Sequence, residues 1–227
     1  MMQKQEHGSQ RSHDPRLIDG VGVWLEHLTG ARSGGDPILF LDRDGVIVQE
    51  VGYLRSVEDV RLVEAAPAAI RMANSLSIRT VIVTNQSGIG RGLYSWRDFE
   101  VVQEKVLGDL ARAGAYVDVV AACAYHALGK GKLAHDNHMW RKPNSGMISG
   151  VAALMEANLA QSLIVGDRLS DLLAGQRAGV GRGLLVRTGY GTREATLLSP
   201  ESLKPMSVEI SDDIAGVKGW LSEQRRG

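Results

Sequence analysis

The sequence has one cysteine, Cys123, in 227 residues, so no disulfide can form within the chain, and a reducing compartment suits it. It has no net charge: 26 basic residues balance 26 acidic ones, which argues against a broad basic surface for nucleic acid. A small basic pocket is still allowed. Two Phe offer little for stacking on bases. No apolar run comes near the roughly 20 residues that a membrane helix needs. Residues 1–13 are polar, with no segment fit for a secretory signal. A cytoplasmic protein without membrane or nucleic-acid partners is expected, and the sequence leaves the oligomeric state open, with a monomer favoured. What is present is ordinary for a soluble globular chain, 44% apolar and 23% charged. The length is enough to bury a core without staples.

Residues 1–16 are rich in Gln, His, Ser and Arg and predict a disordered start. Residues 17–28 suit a strand or a short helix, and Ser33, Gly34, Gly35, Asp36 and Pro37 then punctuate the chain. After Pro37 a pattern recurs of short apolar run, polar turn and helical segment. The runs are 38–41, 80–83, 117–122, 163–165 and 183–186, most rich in Val, Ile or Leu, as strands buried on both faces should be. Helices are predicted over 68–76 behind Pro67, 96–113 capped by Ser95 with Asp98 in the capping-box place, 146–159 capped by Ser145, and 169–178. This alternation predicts an α/β fold with a mainly parallel sheet. Its expected division is an N-terminal extension over 1–35, a core over 36–195, and a tail over 196–227 with a short helix at 212–223.

Ligands of such sheets sit beyond the carboxyl ends of the strands. The first run ends in Asp42, Arg43, Asp44 and Gly45, and the second in Thr84, Asn85, Gln86, Ser87 and Gly88. The fourth ends in Gly166, Asp167, Arg168, Leu169, Ser170 and Asp171, while Arg141, Lys142 and Pro143 precede a helix. Each alone has a plain reading: a polar turn, a glycine-rich turn, or acids suited to a helix N-terminus. Together they would bring carboxylates, a hydroxyl and a lysine to one sheet edge. Two unit charges 4 Å apart repel by about 4 kcal/mol at an effective dielectric of 20. A hard divalent cation removes that cost, and oxygen ligands suit Mg²⁺. Carboxylate, metal, lysine and hydroxyl describe phosphoryl transfer through an aspartyl phosphate.

Asp42-Arg43-Asp44-Gly45-Val46, Thr84-Asn85-Gln86-Ser87-Gly88, Arg141-Lys142-Pro143-Asn144 and the Gly166 to Asp171 run resemble the four motifs of the haloacid dehalogenase (HAD) phosphatase superfamily. The resemblance covers residues 38–190. The Thr-Asn-Gln-Ser-Gly-Ile-x-Arg-Gly run and Arg-Lys-Pro resemble its heptose bisphosphate 7-phosphatase and histidinol-phosphatase branch. The resemblance implies a three-layer, Rossmann-like fold. It implies Asp42 as nucleophile, Asp44 as acid and then base, and Thr84 and Lys142 as holders of the phosphoryl group. Mg²⁺ would bind Asp42, the Asp44 main-chain carbonyl and Asp167. Arg141 matches a substrate-selecting position, and Gly52, Tyr53, Asn85, Gln86, Ser87 and Arg168 (where Lys is the common family residue) the substrate-binding segments. Residues 45–83 are too few for an inserted cap, which takes about 50 residues beyond the core elements, so an open site and a small phosphorylated sugar are expected.

In that branch the loop before Arg-Lys-Pro holds a structural Zn²⁺ through a Cys, a His two later and a Cys-x-Cys. This chain keeps Cys123 but has Tyr125 two later, then His138 and Trp140 in the last two places. His126 and His135 could join Cys123 and His138, but four ligands at tetrahedral spacing are required. The expectation is a zinc-free loop with Trp140 packing in place of a metal. Histidinol phosphate is the alternative substrate. A nucleic-acid 3′-phosphatase and a catalytically dead binding protein are the other classes considered; composition opposes the former and the Asp42–Asp44 pair the latter.

Overall fold

The computed structural model describes residues 14–30 and 34–225. Strands and helices follow in the order β1 (Val23–His27), β2 (Ile38–Leu41), α1 (Ala66–Ser75), β3 (Arg79–Asn85), α2 (Ser87–Gly90), α3 (Trp96–Arg112), β4 (Val119–Cys123), α4 (Gly146–Met155), β5 (Leu163–Gly166), α5 (Leu169–Ala178), β6 (Arg182–Val186), α6 (Gly191–Ala195), β7 (Ser207–Ser211) and α7 (Lys218–Gln224). The sheet order is β1-β4-β3-β2-β5-β6-β7. All pairings are parallel except β1 with β4.

Strand β2 shows why the runs are apolar on both faces. Leu39 and Leu41 pack with Ile70 and Ala73 of α1 and with Phe99, Val102 and Val106 of α3. Ile38 and Phe40 pack on the other side with Met147, Ile148 and Val151 of α4 and Leu172 of α5. Each such side chain contributes about 1.5–3 kcal/mol by leaving water. The result is three layers, helices on both faces of one sheet. Between β2 and β3 lie only a loop, a 3-10 turn (Val57–Asp59) and α1, with no inserted domain.

Helix α3 starts as the sequence predicts. Ser95 Oγ accepts from the Asp98 N–H at 3.3 Å, and Asp98 Oδ2 accepts from the Ser95 N–H at 2.7 Å. Helix α4 departs from expectation at both ends. The Ser145 side chain makes no cap hydrogen bond, and the helix stops at Met155, where Glu156 takes a left-handed φ of 49°. Ser170 lies inside α5.

The sheet also runs past the 36–195 segment. Strand β1 adds an antiparallel edge from the extension, and β7 a parallel edge from the tail. The second edge is invisible as an apolar run, because Ser207, Glu209 and Ile210 face solvent. Of residues 1–16, predicted to be disordered, 1–13 lie outside the described residues, and the expectation fails for the rest. Asp14 and Arg16 are ordered: Arg16 ion-pairs with Asp14 at 2.8 Å and lies 4.1 Å over the Trp24 ring. Among the described residues no helix is long and apolar enough to cross a membrane.

Candidate active site

The chain leaves β2 toward β3 and β4, then returns to the far side of β2 to form β5, so the topology switches at β2 and opens a crevice there. The Asp42 N–H donates to the Val165 carbonyl at 3.0 Å, which extends the ladder and delivers the Asp42 carboxylate to the crevice floor. Gly45 must be glycine on two counts. Its φ is +84°, and a Cβ there would lie 2.3 Å from Asp167 Oδ2. The DxDG turn at the end of β2 is thereby pressed against the carboxylate that ends β5.

Lys142 is the centre of the buried charge. Its Nζ donates to Asp42 Oδ1 at 2.8 Å and to the Val83 carbonyl at 2.7 Å, and it lies 2.7 Å from Asp171 Oδ1. Burial alone would lower its pKa, but Asp171 and Asp42 outweigh that and raise it, so the ammonium stays charged. The Lys142 backbone is fixed by Asn85. Asn85 Oδ1 accepts the Lys142 N–H at 3.1 Å, and Asn85 Nδ2 donates to the Lys142 carbonyl at 3.0 Å. Asn85, expected to bind substrate, thus has both ends of its amide engaged in placing Lys142.

The acids are crowded. One oxygen from each of Asp42, Asp167 and Asp171 falls within 4.8 Å of the others. Burial pushes the Asp42 carboxyl up; Lys142 opposes this, while Asp171 and Asp44 add to it. Asp167 is likewise raised, first by burial and then by Asp42 and Asp171. Asp167 Oδ2 accepts the Tyr190 N–H at 2.8 Å, but its Oδ1 is buried with no partner. A buried carboxylate oxygen left unmatched is costly.

Asp44 is held by Arg43, which has no sequence assignment, and by Gln86, which has a different one. Arg43 is 1% exposed, and its Nη2 donates to both Asp44 oxygens at 3.1 and 3.0 Å while Nε reaches Oδ2 at 3.2 Å. Gln86 is also buried. Its Nε2 donates to Thr84 Oγ1 at 2.9 Å and lies 3.4 Å from Asp44 Oδ2, and its Oε1 accepts from Tyr94 O–H at 2.7 Å. Gln86, expected to bind substrate, therefore ties Thr84, Asp44 and Tyr94 together. Arg43, Glu50, Tyr94 and Asp171 are polar site residues without a sequence assignment. Asp171 alone carried a signal, as the acid three residues after Arg168, where its Oδ2 accepts the Arg168 N–H at 3.0 Å.

Above this floor lies a cleft of about 500 Å³. Asp42, Asp44, Thr84 and Lys142 line it, as do Gly52, Tyr53, Ser87, Arg141 and Arg168, with His126 as an addition. Arg141 Nη1 donates to the Tyr125 carbonyl at 2.9 Å, and the Arg168 guanidinium lies 3.7 Å over the Tyr190 ring. Tyr53 O–H meets Arg91.

The zinc-loop positions are otherwise engaged. Cys123 is packed in the core beneath α4, where burial pushes its thiol up to about 12. The Nδ1 atoms of His126, His135 and His138 each accept a backbone N–H two residues on, at 3.0, 3.3 and 3.3 Å. Trp140 lies on α4 at Gly150, where a Cβ would come within 2.5 Å of its ring.

A doubly wound sheet with acids at the ends of β2 and β5, a hydroxyl at the end of β3 and a buried lysine between them places the chain among HAD-type hydrolases. Residues 139–215 match the HAD-hydrolase-like family model. Over 213 residues the chain is 38% identical to the D-glycero-beta-D-manno-heptose-1,7-bisphosphate 7-phosphatase of Mesorhizobium japonicum, covering 92% of this chain and 96% of that one. It is 34% identical to the corresponding D-glycero-D-manno enzyme of Thermosynechococcus vestitus, over 82% and 95% of the two chains. The chain belongs to the D-glycero-D-manno-heptose-1,7-bisphosphate 7-phosphatase family. Its fold superposes on a HAD-like phosphatase from Mesorhizobium loti with a TM-score of 0.80 at 37% identity, covering 90% and 94%. For the D,D-heptose 1,7-bisphosphate phosphatase of B. bronchiseptica, complexed with magnesium and phosphate, the score is 0.71 at 28% identity, covering 83% and 99%.

Proposed function

We propose that this chain hydrolyses the 7-phosphate of D-glycero-D-manno-heptose 1,7-bisphosphate through an aspartyl phosphate on Asp42. An Asp42 carboxylate oxygen attacks phosphorus while the sugar–oxygen bond to phosphorus breaks, and Asp44 gives its proton to the departing alkoxide. Asp44 then takes a proton from water, whose oxygen attacks the same phosphorus. The bond to Asp42 breaks, and inorganic phosphate leaves. Lys142 and Thr84 hold the phosphoryl oxygens as charge shifts onto them. Arg43 and Gln86 keep the Asp44 carboxylate aimed.

Asp42, Asp167 and the Asp44 main-chain carbonyl would hold Mg²⁺. The donor set fits: all are hard oxygens, and the buried Asp167 Oδ1 has no hydrogen-bond partner. When bound, the ion supplies charge neutralisation at the phosphoryl oxygens. A stability test follows. Asp42 and Asp167 have folded pKa values raised above 3.8. The folded state therefore keeps protons that the unfolded chain has already released, and metal-free stability falls as pH rises above that value. Mg²⁺ at 100 times its Kd should add about 2.7 kcal/mol, or roughly 5–10 °C in Tm for a chain of this size. The gain should be larger at pH 8 than at pH 5. A Tm indifferent to Mg²⁺ at pH 8 would contradict the site.

The observation that carries the substrate is the pair Arg141 and Arg168 at the mouth, one anchored by a carbonyl and the other by an aromatic face. Neither guanidinium is in an ion pair among the described residues, and although Glu50 lines the same cleft near Arg168, the two cations together suit a second phosphate, as the bisphosphate provides. Histidinol phosphate would instead bring an ammonium toward two cations. Phosphate release measured over the heptose bisphosphate, histidinol phosphate and 3′-phosphorylated nucleic-acid ends tests this. The bisphosphate should lead in kcat/KM by about tenfold or more, equivalent to at least 1.4 kcal/mol. Equal or better turnover of histidinol phosphate would sink the assignment. A cytoplasmic enzyme, with its one thiol buried, completes the reading.

A further inference from the structure

Two carbonyls hold Arg141, and the residues that supply them stack their rings on each other. The Arg141 N–H donates to the His138 carbonyl at 2.9 Å, and Arg141 Nη1 donates to the Tyr125 carbonyl at 2.9 Å. The Tyr125 and His138 rings lie face to face, with centroids 3.7 Å apart and planes 15° from parallel. His135 meets both edge-on, at 6.1 and 5.1 Å. His138 Nδ1 also accepts the Trp140 N–H, which fixes the turn leading directly into Arg141. Part burial and the neighbouring His135 hold His138 below the ordinary imidazole pKa, so that nitrogen stays an acceptor.

The stack is anchored from outside its own loop. Tyr125 O–H donates to Asp19 Oδ2 at 2.7 Å. Asp19 is itself fixed, because its Oδ1 accepts the N–H groups of Val21, Gly22 and Val23 at 3.0, 2.9 and 3.0 Å. Gly22 makes room for the ring, since a Cβ there would lie 2.5 Å from Tyr125 Cε2. The turn carrying Asp19 is pinned in turn, with Trp96 Nε1 donating to the Val21 carbonyl at 2.9 Å.

We propose that Asp19, Tyr125 and His138 form a latch that aims Arg141 into the cleft and so sets affinity for the second phosphate of the substrate. The inference rests on the reading of Arg141 as a substrate contact. Tyr125 and His138 are positioning residues, outside the cleft lining. Arginine is long and rotamer-rich, and ordering it before substrate arrives removes that cost from binding. The segment ahead of β1 thereby acquires a role at the active site, through Asp19.

The test is steady-state kinetics of Tyr125→Phe, which removes one hydroxyl and keeps the ring. KM for the bisphosphate should rise about five- to tenfold while kcat stays within about twofold, the pattern of lost binding that is uniform between ground and transition states. KM for the 7-monophosphate of the same sugar should not move. His138→Ala should give the same split. Arg141→Ala should raise KM for the bisphosphate, and Tyr125→Phe should add little on that background, since residues acting through one contact are not additive. If Arg141→Ala raises KM but Tyr125→Phe does not, the latch alone is overturned. If Arg141→Ala leaves KM unchanged, the reading of Arg141 fails and the latch with it. Equal KM increases for both sugars in Tyr125→Phe would also overturn the latch, because the hydroxyl would then support the site as a whole.

Discussion

Asp42→Asn should abolish turnover of the bisphosphate, by about four orders of magnitude or more, as removal of a covalent nucleophile does when its partners remain. The fold should survive. Lys142 keeps Asp171 at 2.7 Å and the Val83 carbonyl at 2.7 Å, and the amide is the same size as the acid. The raised pKa of Asp42 gives a sharper expectation, since burial makes its charge costly in the absence of metal. A neutral amide avoids that cost, so metal-free Asp42→Asn at pH 8 should melt no lower than the parent. Circular dichroism melts beside phosphate release check both halves. Residual activity near the parent level would remove Asp42 from the mechanism.

Lys142→Met should be the more damaging change to the folded state. Its raised folded pKa means that its ion pairs contribute fully below the unfolded value of 10.5 and are lost only as pH rises through the folded value. At neutral pH they are in force. Removing the ammonium leaves Asp42 and Asp171 without the cation they share, and breaking a buried pair this way costs about 3–5 kcal/mol. For a chain of this size that is roughly 6–20 °C in Tm. The deficit should shrink at pH 5, where Asp42 and Asp167, with their raised pKa values, take up protons, and in Mg²⁺, which answers the same repulsion. Activity should fall by about 10²–10³, the usual effect of losing one group that stabilises developing charge. Thermal melts at two pH values, with and without Mg²⁺, decide this. A pH-independent loss would show that Lys142 fills space rather than balancing charge.

Strands β2 to β6 are legible in the sequence because burial on both faces forces uninterrupted apolar runs. The edges obey a different rule. Strand β7 needs only backbone pairing on one side, so Ser207–Ser211 carries little apolar pattern. Strand β1 alternates enough to suit either a strand or a short helix. The site shows the same division. Asp42, Thr84, Lys142 and Asp167 stand where strands and a helix meet the crevice, and position alone brings them together. Arg43 is different, since a residue between two acids can face anywhere until the turn at Gly45 is known. Asn85 and Gln86 look like ligand-binding amides in sequence and both line the cleft, but their hydrogen bonds to Lys142, Asp44 and Tyr94 reach segments that spacing does not connect. Asp171 passes for a helix-terminal acid because Lys142, its partner, comes from a distant segment. The Tyr125–His138 stack is unreadable from spacing, since its anchor, Asp19, lies ahead of the first strand.

In the proposed reaction Asp42 carries the phosphoryl group between substrate and water. Asp44→Asn should still accept a phosphoryl group from an aryl phosphate, whose leaving group needs no proton, while the hydrolysis that relies on Asp44 as base slows by about 10²–10⁴. Mixing that variant with an aryl phosphate and Mg²⁺, quenching in acid and mapping the labelled peptide by mass spectrometry is the direct measurement. The expected result is a phosphoryl group on Asp42. A group found on another residue, or none at any time while the variant still releases phosphate, would contradict it.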